Sequence, residues 1–449
     1  MTQRLSRPVF ALSFAVAVLV IAANPSEVSA QDSDWRQWGG PDRNFLSDAT
    51  GLADSWSDGG PPLLWSRPLG LGHSSIAVDE AVLYTLYRPG AAKSALQPLG
   101  PFIRYADNSR NWESREFVIA MDAETGETLW EYEYVAEPLN FGRGAGPHAT
   151  PLVVGDLVFA AGTNKQLFAF DKKSGEVVWS HDLVAEFDAP PTLRRPPVKA
   201  GYAGSPVAWE DTIILQVGGP GQSVMAFRQS DGEPVWSSGD FLVAQAAPLV
   251  IDVDGEAQVV IFGGQTVSGL HPSTGEILWS HGHDTSSDMN NSMPIWGADN
   301  ILFISSAYNM GSRGLRLSRA GSATVVEELW FTNRLGLMFS NAIRLGDLVY
   351  GTDGNSGPGF LTALDVRTGE SVWESRGFGR SSLLHADGKT IILDEDGDLS
   401  LLRLSPEGME ILAQTHIFDT TSWTVPALVG TTLYARDREK IVALDLGVR

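Results

Sequence analysis

Cysteine is absent from all 449 residues. That absence excludes disulfides, thiolate metal sites, thiol nucleophiles and lipidation of an amino-terminal cysteine. Positive charge is scarce as well: 32 basic residues stand against 54 acidic ones, a formal net charge of -22. A surface of that sign repels both a phosphate backbone and an anionic membrane face, so nucleic acid is not expected as a partner. Helical periodicity is missing throughout, and past residue 30 no apolar run approaches the ~20 residues that a membrane-spanning helix needs. There is no nucleophile elbow, Walker loop, dinucleotide fingerprint or metalloprotease helix. The eight histidines are scattered, without metal-ligand spacing.

The first residues read as an export signal. Arg4 and Arg7 precede an apolar run from Val9 to Ala23, and the polar stretch after it ends in Val28-Ser29-Ala30, a small-x-small cleavage pattern. The run is too short for a spanning helix. The expected organisation is a signal peptide over 1–30, a lead segment over 31–62 and one repeat domain over 63–449, the mature chain being periplasmic or secreted and monomeric.

What the sequence does contain is a repeat. VIAMDAETGETLW at 118–130, LFAFDKKSGEVVW at 167–179, VMAFRQSDGEPVW at 224–236, VSGLHPSTGEILW at 267–279 and LTALDVRTGESVW at 361–373 share one spacing. Each reads as strand, turn, strand, with glycine where a tight hairpin needs positive φ. A second strand pair lies upstream, as in ATPLVVGDLVFAAG at 149–162, so each repeat has four strands. From Trp130 to Trp373 the repeat tryptophans are 49, 57, 43, 51 and 43 residues apart. That interval suits a four-stranded propeller blade. Innermost strands begin near Ser75, Thr150, Ser205, Ala247, Met293, Asn341, Ser382 and Val425, which predicts an all-β, eight-bladed β-propeller. The eighth repeat stops at 441–446 without its outer strand, and LLWSRPL at 63–69 supplies the missing piece. Closure of the ring by that early strand is therefore expected. Seven of the 14 tryptophans occupy the repeat position, which points to packing between blades rather than to ligand stacking.

The A-x-D-x-x-T-G-x-x-x-W pattern, clearest at Ala120 to Trp130 and Ala363 to Trp373, resembles the PQQ-type repeat of quinoprotein-dehydrogenase-like propellers. The lead DWRQWGGPDRN at 34–44 is similar to that of secreted, BamB-like members. The resemblance implies a rigid ring used in two ways: as a dehydrogenase that holds PQQ against adjacent cysteines with a calcium ion, or as a non-catalytic scaffold. The cysteine pair of the first and the lipid-anchoring cysteine of the second have no counterpart here. A non-enzymatic binding or scaffold protein is accordingly expected, taking a protein, small-molecule or carbohydrate ligand. PQQ with calcium is the alternative cofactor assignment, and hydrolysis or lysis of polysaccharides a more distant alternative.

Two acidic clusters, Asp252, Asp254 and Glu256, and Asp394, Asp396 and Asp398, have the composition of calcium loops. Each straddles Asp-Gly between apolar runs and is read as a hairpin. Arg143 and His148 among glycines at 141–150, and Arg194, Arg195 and Lys199 in a proline-rich insertion, are read as loop residues. Long connections fall on one face of the ring: 88–116, 184–200 and 353–359. Aligning the inner strands gives a ring of small residues, Ser74, Ala149, Gly204, Ala246, Ser292, Ser340, Ser381 and Thr424, as convergence on a narrow axis requires. One residue earlier stand His73, His148, Ala203, Gln245, Asn291, Phe339, Arg380 and Trp423. This large, mixed ring is the expected ligand site at the axial mouth, carried by His73, His148, Arg380 and Trp423 with Gln245 and Asn291 assisting.

Overall fold

The repeat hairpin is built by its own side chains. The Asp122 carboxylate accepts hydrogen bonds from the backbone N–H groups of Glu124 and Thr125, at 3.0 and 2.8 Å, and from the Thr125 hydroxyl at 3.0 Å. Gly126 then reverses the chain at φ 74°. Asp171 and Ser174, and Asp365 and Thr368, repeat the arrangement. Local side-chain acceptors thus set the turn, and the turn sets the register of the two strands beside it.

A computed structural model of the chain describes Met1 and residues 34–57, 59–90, 113–137, 139, 146–192, 201–285, 288–308, 310–354 and 359–448. Residues 33–449 form one compact unit; the expected signal sequence lies outside the described residues. The described residues make eight sheets arranged as blades, each with four antiparallel strands and one of them extended by a fifth. Their inner strands are Ala77–Asp79, Leu152–Val154, Val207–Trp209, Leu249–Val253, Ile295–Trp296, Ala342–Leu345, Ser382–Ala386 and Ala427–Val429, for blades 1 to 8. Middle strands such as Val82–Tyr87 and Gln166–Asp171 are almost wholly buried, because neighbouring blades cover both their faces. Outer strands such as Thr128–Val135 alternate between exposed and half-buried residues. Among the described residues, no helix is long and apolar enough to cross a membrane.

The ring closes as the sequence predicts. Leu63–Pro68 is the outer strand of blade 8, antiparallel to Lys440–Asp445, with Trp65 opposite Ala443. The inner strands of blades 1 and 8 are in contact. The Ser75 hydroxyl donates to the Val425 carbonyl across that seam at 2.5 Å, and the buried Arg436 guanidinium donates to the carbonyls of Leu86 (2.7 Å) and Gly70 (3.0 Å).

The repeat tryptophans join seven of the eight blades to the next, blade 7 having Ala413 at that position. Trp65 donates its indole N–H to the Ala123 carbonyl, Trp130 to Lys172, Trp179 to Gln229, Trp236 to Pro272, Trp330 to Val366 and Trp373 to Ser405, all at 2.8 to 2.9 Å. Each accepting carbonyl belongs to the hairpin turn of the following blade. The glycine of that turn lets the indole face lie flat against it: a Cβ on Gly175 would stand 2.5 Å from Trp130, and one on Gly369 2.5 Å from Trp330. Trp279 departs from the pattern, since blade 5 has a longer hairpin, Gly311–Ala320 and Ala323–Thr332, with no such turn. Its indole donates instead to Gln258, whose amide donates to Thr324 of blade 5.

The lead segment is part of the ring and crosses its axis. Trp35 pairs with Val78 of blade 1, and Arg36 accepts from Val153 of blade 2 through its carbonyl. The buried Arg43 guanidinium reaches the carbonyls of Pro206 and Pro248, in blades 3 and 4, at 3.3 and 2.8 Å. Leu46–Ser47 then adds to blade 7 as a fifth, parallel strand, and Leu52 pairs with Gly447. Arg43 and Phe45 sit at φ 53° and 62°, a left-handed backbone that costs non-glycine residues about 1–3 kcal/mol each. Burial of the Phe45 ring and the carbonyl contacts of Arg43 offset that strain.

Replacing Trp330 by Phe keeps an aromatic body in the wedge and removes the bond to Val366. Stability should fall by about 1 kcal/mol, whereas Trp330→Ala should cost about 3–5 kcal/mol, both read from urea unfolding of the purified chain. Equal effects would mean that the indole N–H contributes nothing.

Candidate functional site

At the axial mouth the inner strands begin, and backbone bonds between blades fix the residues there. The N–H groups of His73 and Ser74 both donate to the Pro147 carbonyl, and those of Gln245 and Ala246 to the Asn290 carbonyl. His73 and Gln245 are thereby tied to the connections that enter the following blades. Gln216 holds Gln245 from below: its amide donates to the Ala246 carbonyl at 2.8 Å and accepts from the Ala244 N–H at 3.0 Å. Asn290 is anchored by its amide to the Gly263 carbonyl at 2.5 Å. On the side of blades 1 and 2, the buried pair Arg88 and Glu116, 2.8 Å apart, accepts Tyr134 and both the N–H and hydroxyl of Thr163 on the Glu116 carboxylate.

Above the small-residue ring lies a recess with a cavity volume of about 120 Å³, open to solvent at its mouth. Its size suits a small ligand or the tip of a larger one. The small-ring residues Ser74, Ala149, Ala246, Ser292, Ser381 and Thr424 are all nearly or wholly inaccessible, as crowding at the axis demands. Of the expected mouth residues, His73, His148, Gln245, Asn291, Phe339 and Trp423 line the recess together, and Ala203 joins them.

Arg380 is placed differently. Its guanidinium turns to Glu395, with contacts of 2.8 and 2.9 Å to the two carboxylate oxygens, and it is not among the lining residues. Glu395 in turn accepts the Trp423 indole N–H at 3.1 Å. Because blade 7 withdraws its side chain in this way, Trp423 of blade 8 and Phe339 of blade 6 meet across the gap, with ring centroids 4.7 Å apart. His73 lies 5.2 Å from Trp423 and 5.1 Å from His148, edge-on to the latter. The result is an aromatic arc running from blade 2 through blades 1 and 8 to blade 6.

Several lining residues, among them Trp38, Tyr202 and Thr163, were not legible in the inner-strand alignment. Trp38 comes from the lead segment, which approaches from the far ends of the inner strands, so that its indole backs the recess. Tyr202 and Thr163 come from connections between strands and blades. The only sequence signal for Trp38 was an aromatic residue set between polar ones and a Gly-Gly turn. Tyr202 is 2% exposed, and its hydroxyl has no hydrogen-bond partner among the described residues; the same holds for the buried Oδ1 of Asn291, whose Nδ2 donates to the Met338 carbonyl at 2.9 Å.

The electrostatics are those of a neutral site. Desolvation, reinforced by the positive charges of Arg438 and Arg436, holds His148 down at about 4, so its ring is uncharged at neutral pH. None of the described lining residues is Lys, Arg, Asp or Glu. The acidic clusters are turns: Asp252 accepts from Gly255 N–H at 2.8 Å, and Asp394 from the N–H groups of Asp396 and Asp398 at 3.0 and 2.9 Å. Among the described residues no group of three or more acids, histidines or cysteines is placed to hold a metal ion. Arg143, Arg194, Arg195 and Lys199 lie outside the described residues, as do 91–112 and 355–358 of the long connections.

Ring, repeat and axial recess together define a propeller of the quinoprotein-dehydrogenase-like class. Residues 114–375 match the family model described as outer membrane protein assembly factor BamB, and the chain belongs to that family. BamB of Moraxella catarrhalis is similar in structure, with a TM-score of 0.57 at 15% identity over 86% of this chain and 99% of that one. A quinohemoprotein alcohol dehydrogenase of Pseudomonas putida HK5 is similar with a TM-score of 0.60 at 14% identity, over 93% of this chain and 81% of that one. The corresponding enzyme of Comamonas testosteroni gives 0.59 at 12% identity with the same coverage. These likenesses are likenesses of fold. No curated protein matches the sequence.

The cofactor that the dehydrogenase likeness implies does not fit the donors present. PQQ is a planar tricarboxylate that the resemblance pairs with calcium. The aromatic arc suits a planar ring, but the described lining offers neither cations for three carboxylates nor acidic oxygens for a hard divalent ion.

His148 is held at about 4 and His283 at about 3 against 6.5 for free imidazole. Both pKa values are depressed on folding, so below pH 6.5 the unfolded chain binds protons that the native state refuses. Stability is full above pH 6.5 and falls as pH drops toward 4, by up to about 1.4 kcal/mol per unit for each group. The thermal midpoint should decline across that range, and His148→Gln should flatten the decline. Separately, Arg380→Ala should cost about 3 kcal/mol by leaving the Glu395 carboxylate buried without its cation, and should shift Trp423 emission.

Proposed function

We propose that this chain is an exported, non-enzymatic propeller, periplasmic or secreted, that binds a ligand or the loop of a partner protein in its axial recess. The carrying observation is the recess itself: an aromatic arc faces polar groups held ready by neighbouring backbone, with Tyr202 and Asn291 each presenting a buried polar atom that nothing in the described protein satisfies. Leaving such groups unpaired costs free energy that a bound partner recovers. The basic and apolar beginning of the sequence, ending in Val28-Ser29-Ala30, supports export with cleavage before Gln31.

Membership of the BamB family supports scaffold work in general and leaves the partner to be identified. The dehydrogenase reading is supported by fold likeness and opposed by the donor set, so the binding reading is preferred. The purified chain should be stabilised in a thermal-shift screen of small molecules and peptides, and the stabilisation should disappear in Trp423→Ala and Asn291→Leu. PQQ with calcium should give no dye reduction with alcohols or sugars above background. Quinone-dependent turnover lost on calcium chelation, or ligand stabilisation indifferent to both substitutions, would overturn the assignment.

A further inference from the structure

The two sides of the recess differ in chemistry, and the difference selects a ligand. His148, His73, Trp423 and Phe339 present ring faces and edges from blades 2, 1, 8 and 6. Gln245 and Asn291 enter from blades 4 and 5, across the axis from blades 8 and 1, with Tyr202 from the connection into blade 3 beside them. On this polar side the bond from Asn291 Nδ2 to the Met338 carbonyl fixes the amide orientation, so that Oδ1 is left as a pure acceptor. The Tyr202 hydroxyl, buried and unpaired, both donates and accepts. Gln245 spends its Nε2 only on a 3.4 Å contact to the Gly201 carbonyl.

A ligand that satisfies both sides needs an apolar ring face for the aromatic arc and, on the opposite edge, hydroxyl or N–H donors adjacent to acceptors. It gains nothing from a formal charge, because the described lining carries none. Resting on the binding role argued above, we propose that the axial recess takes an uncharged pyranose, free or as the end of a neutral oligosaccharide, with its C–H face on Trp423 and His73 and its hydroxyls on Asn291, Tyr202 and Gln245. Both oxygens lack free surface in the unliganded recess, so Tyr202 and Asn291 rotate slightly as the sugar enters, and a sugar hydroxyl then donates to Asn291 Oδ1 and pairs with Tyr202. A planar aromatic ligand without donors leaves Asn291 unsatisfied, and an anionic sugar must shed its hydration without a cation among the described lining residues to pair with.

The test is titration of the full chain with D-glucose, D-galactose, D-mannose, cellobiose and maltose, followed by tryptophan fluorescence and by calorimetry, with D-glucuronate and the donor-free planar ring of caffeine as contrasting probes. At least one neutral sugar should bind saturably, glucuronate at least tenfold more weakly, and caffeine not at all. Tyr202→Phe and Asn291→Leu should each weaken the sugar about tenfold while their thermal midpoints, measured alongside, show them folded. Preference for glucuronate or caffeine, or sugar binding unchanged in both variants, would overturn the assignment. If none of the sugars binds but another compound does so in a manner lost in Asn291→Leu, the saccharide assignment falls and the axial binding role stands. If nothing binds in the recess, both fall.

Discussion

Eight flat sheets can share one axis only if their inner edges are thin and their outer edges are held apart by something large. The first demand is met at a fixed place in each repeat and the second in seven of the eight, blade 7 carrying Ala413 where the others carry tryptophan. Near the axis, Ser74, Ala149, Ala246, Ser292, Ser381 and Thr424 leave room for one another and are sealed from solvent. At the periphery an indole fills the widening wedge and donates to the next blade's turn. The glycine of that turn serves two ends, positive φ and a flat face for the indole, so hairpin formation and blade stacking depend on the same residue. Where blade 5 lacks the turn, Gln258 relays the contact through Thr324, and the wedge stays closed by a different route.

The recess inherits its rigidity from that ring. His73 and Gln245 are held by backbone donors locked to the following connection, whereas Asn291 and Trp423 are held through their own side chains, by Met338 and Glu395. Side chains behind them finish the job: Gln216 grips both flanks of Gln245, and Glu395 fixes Trp423 while neutralising Arg380. A site whose walls are fixed before a ligand arrives loses little conformational entropy on binding. The same desolvation that shapes the recess also keeps His148 neutral, so its electrostatic character is a product of packing rather than of composition.

The lead segment turns an open ring into a blind recess. Trp35 to Leu52 touches blades 1, 2, 3, 4, 7 and 8 in turn, and the buried guanidinium of Arg43 bridges the carbonyls of two of them. By placing Trp38 behind the cavity, it adds an aromatic surface that no blade contributes. The structural neighbours share the ring, and in this chain the axial site is built by the mouth residues together with this crossing segment.

The sequence by itself determined the blade count, the four-strand repeat, the closure by Leu63–Pro68 and the packing role of the tryptophans, because each follows from a local period that repeats. It also placed His73, His148, Gln245, Asn291 and Trp423 at one level, since a common strand register carries position along the axis. Only the tertiary structure decided which way each side chain turns. Arg380 shares the register of the others, yet it leaves the recess for Glu395, a partner 15 residues on, across a turn. Trp38 and Tyr202 reach the recess from segments with no repeat, and nothing periodic marks them. Register is a local property that a repeat prints in the sequence. The direction of a buried cation and the course of a crossing segment depend on partners distant in the chain, and those meet only in the folded ring.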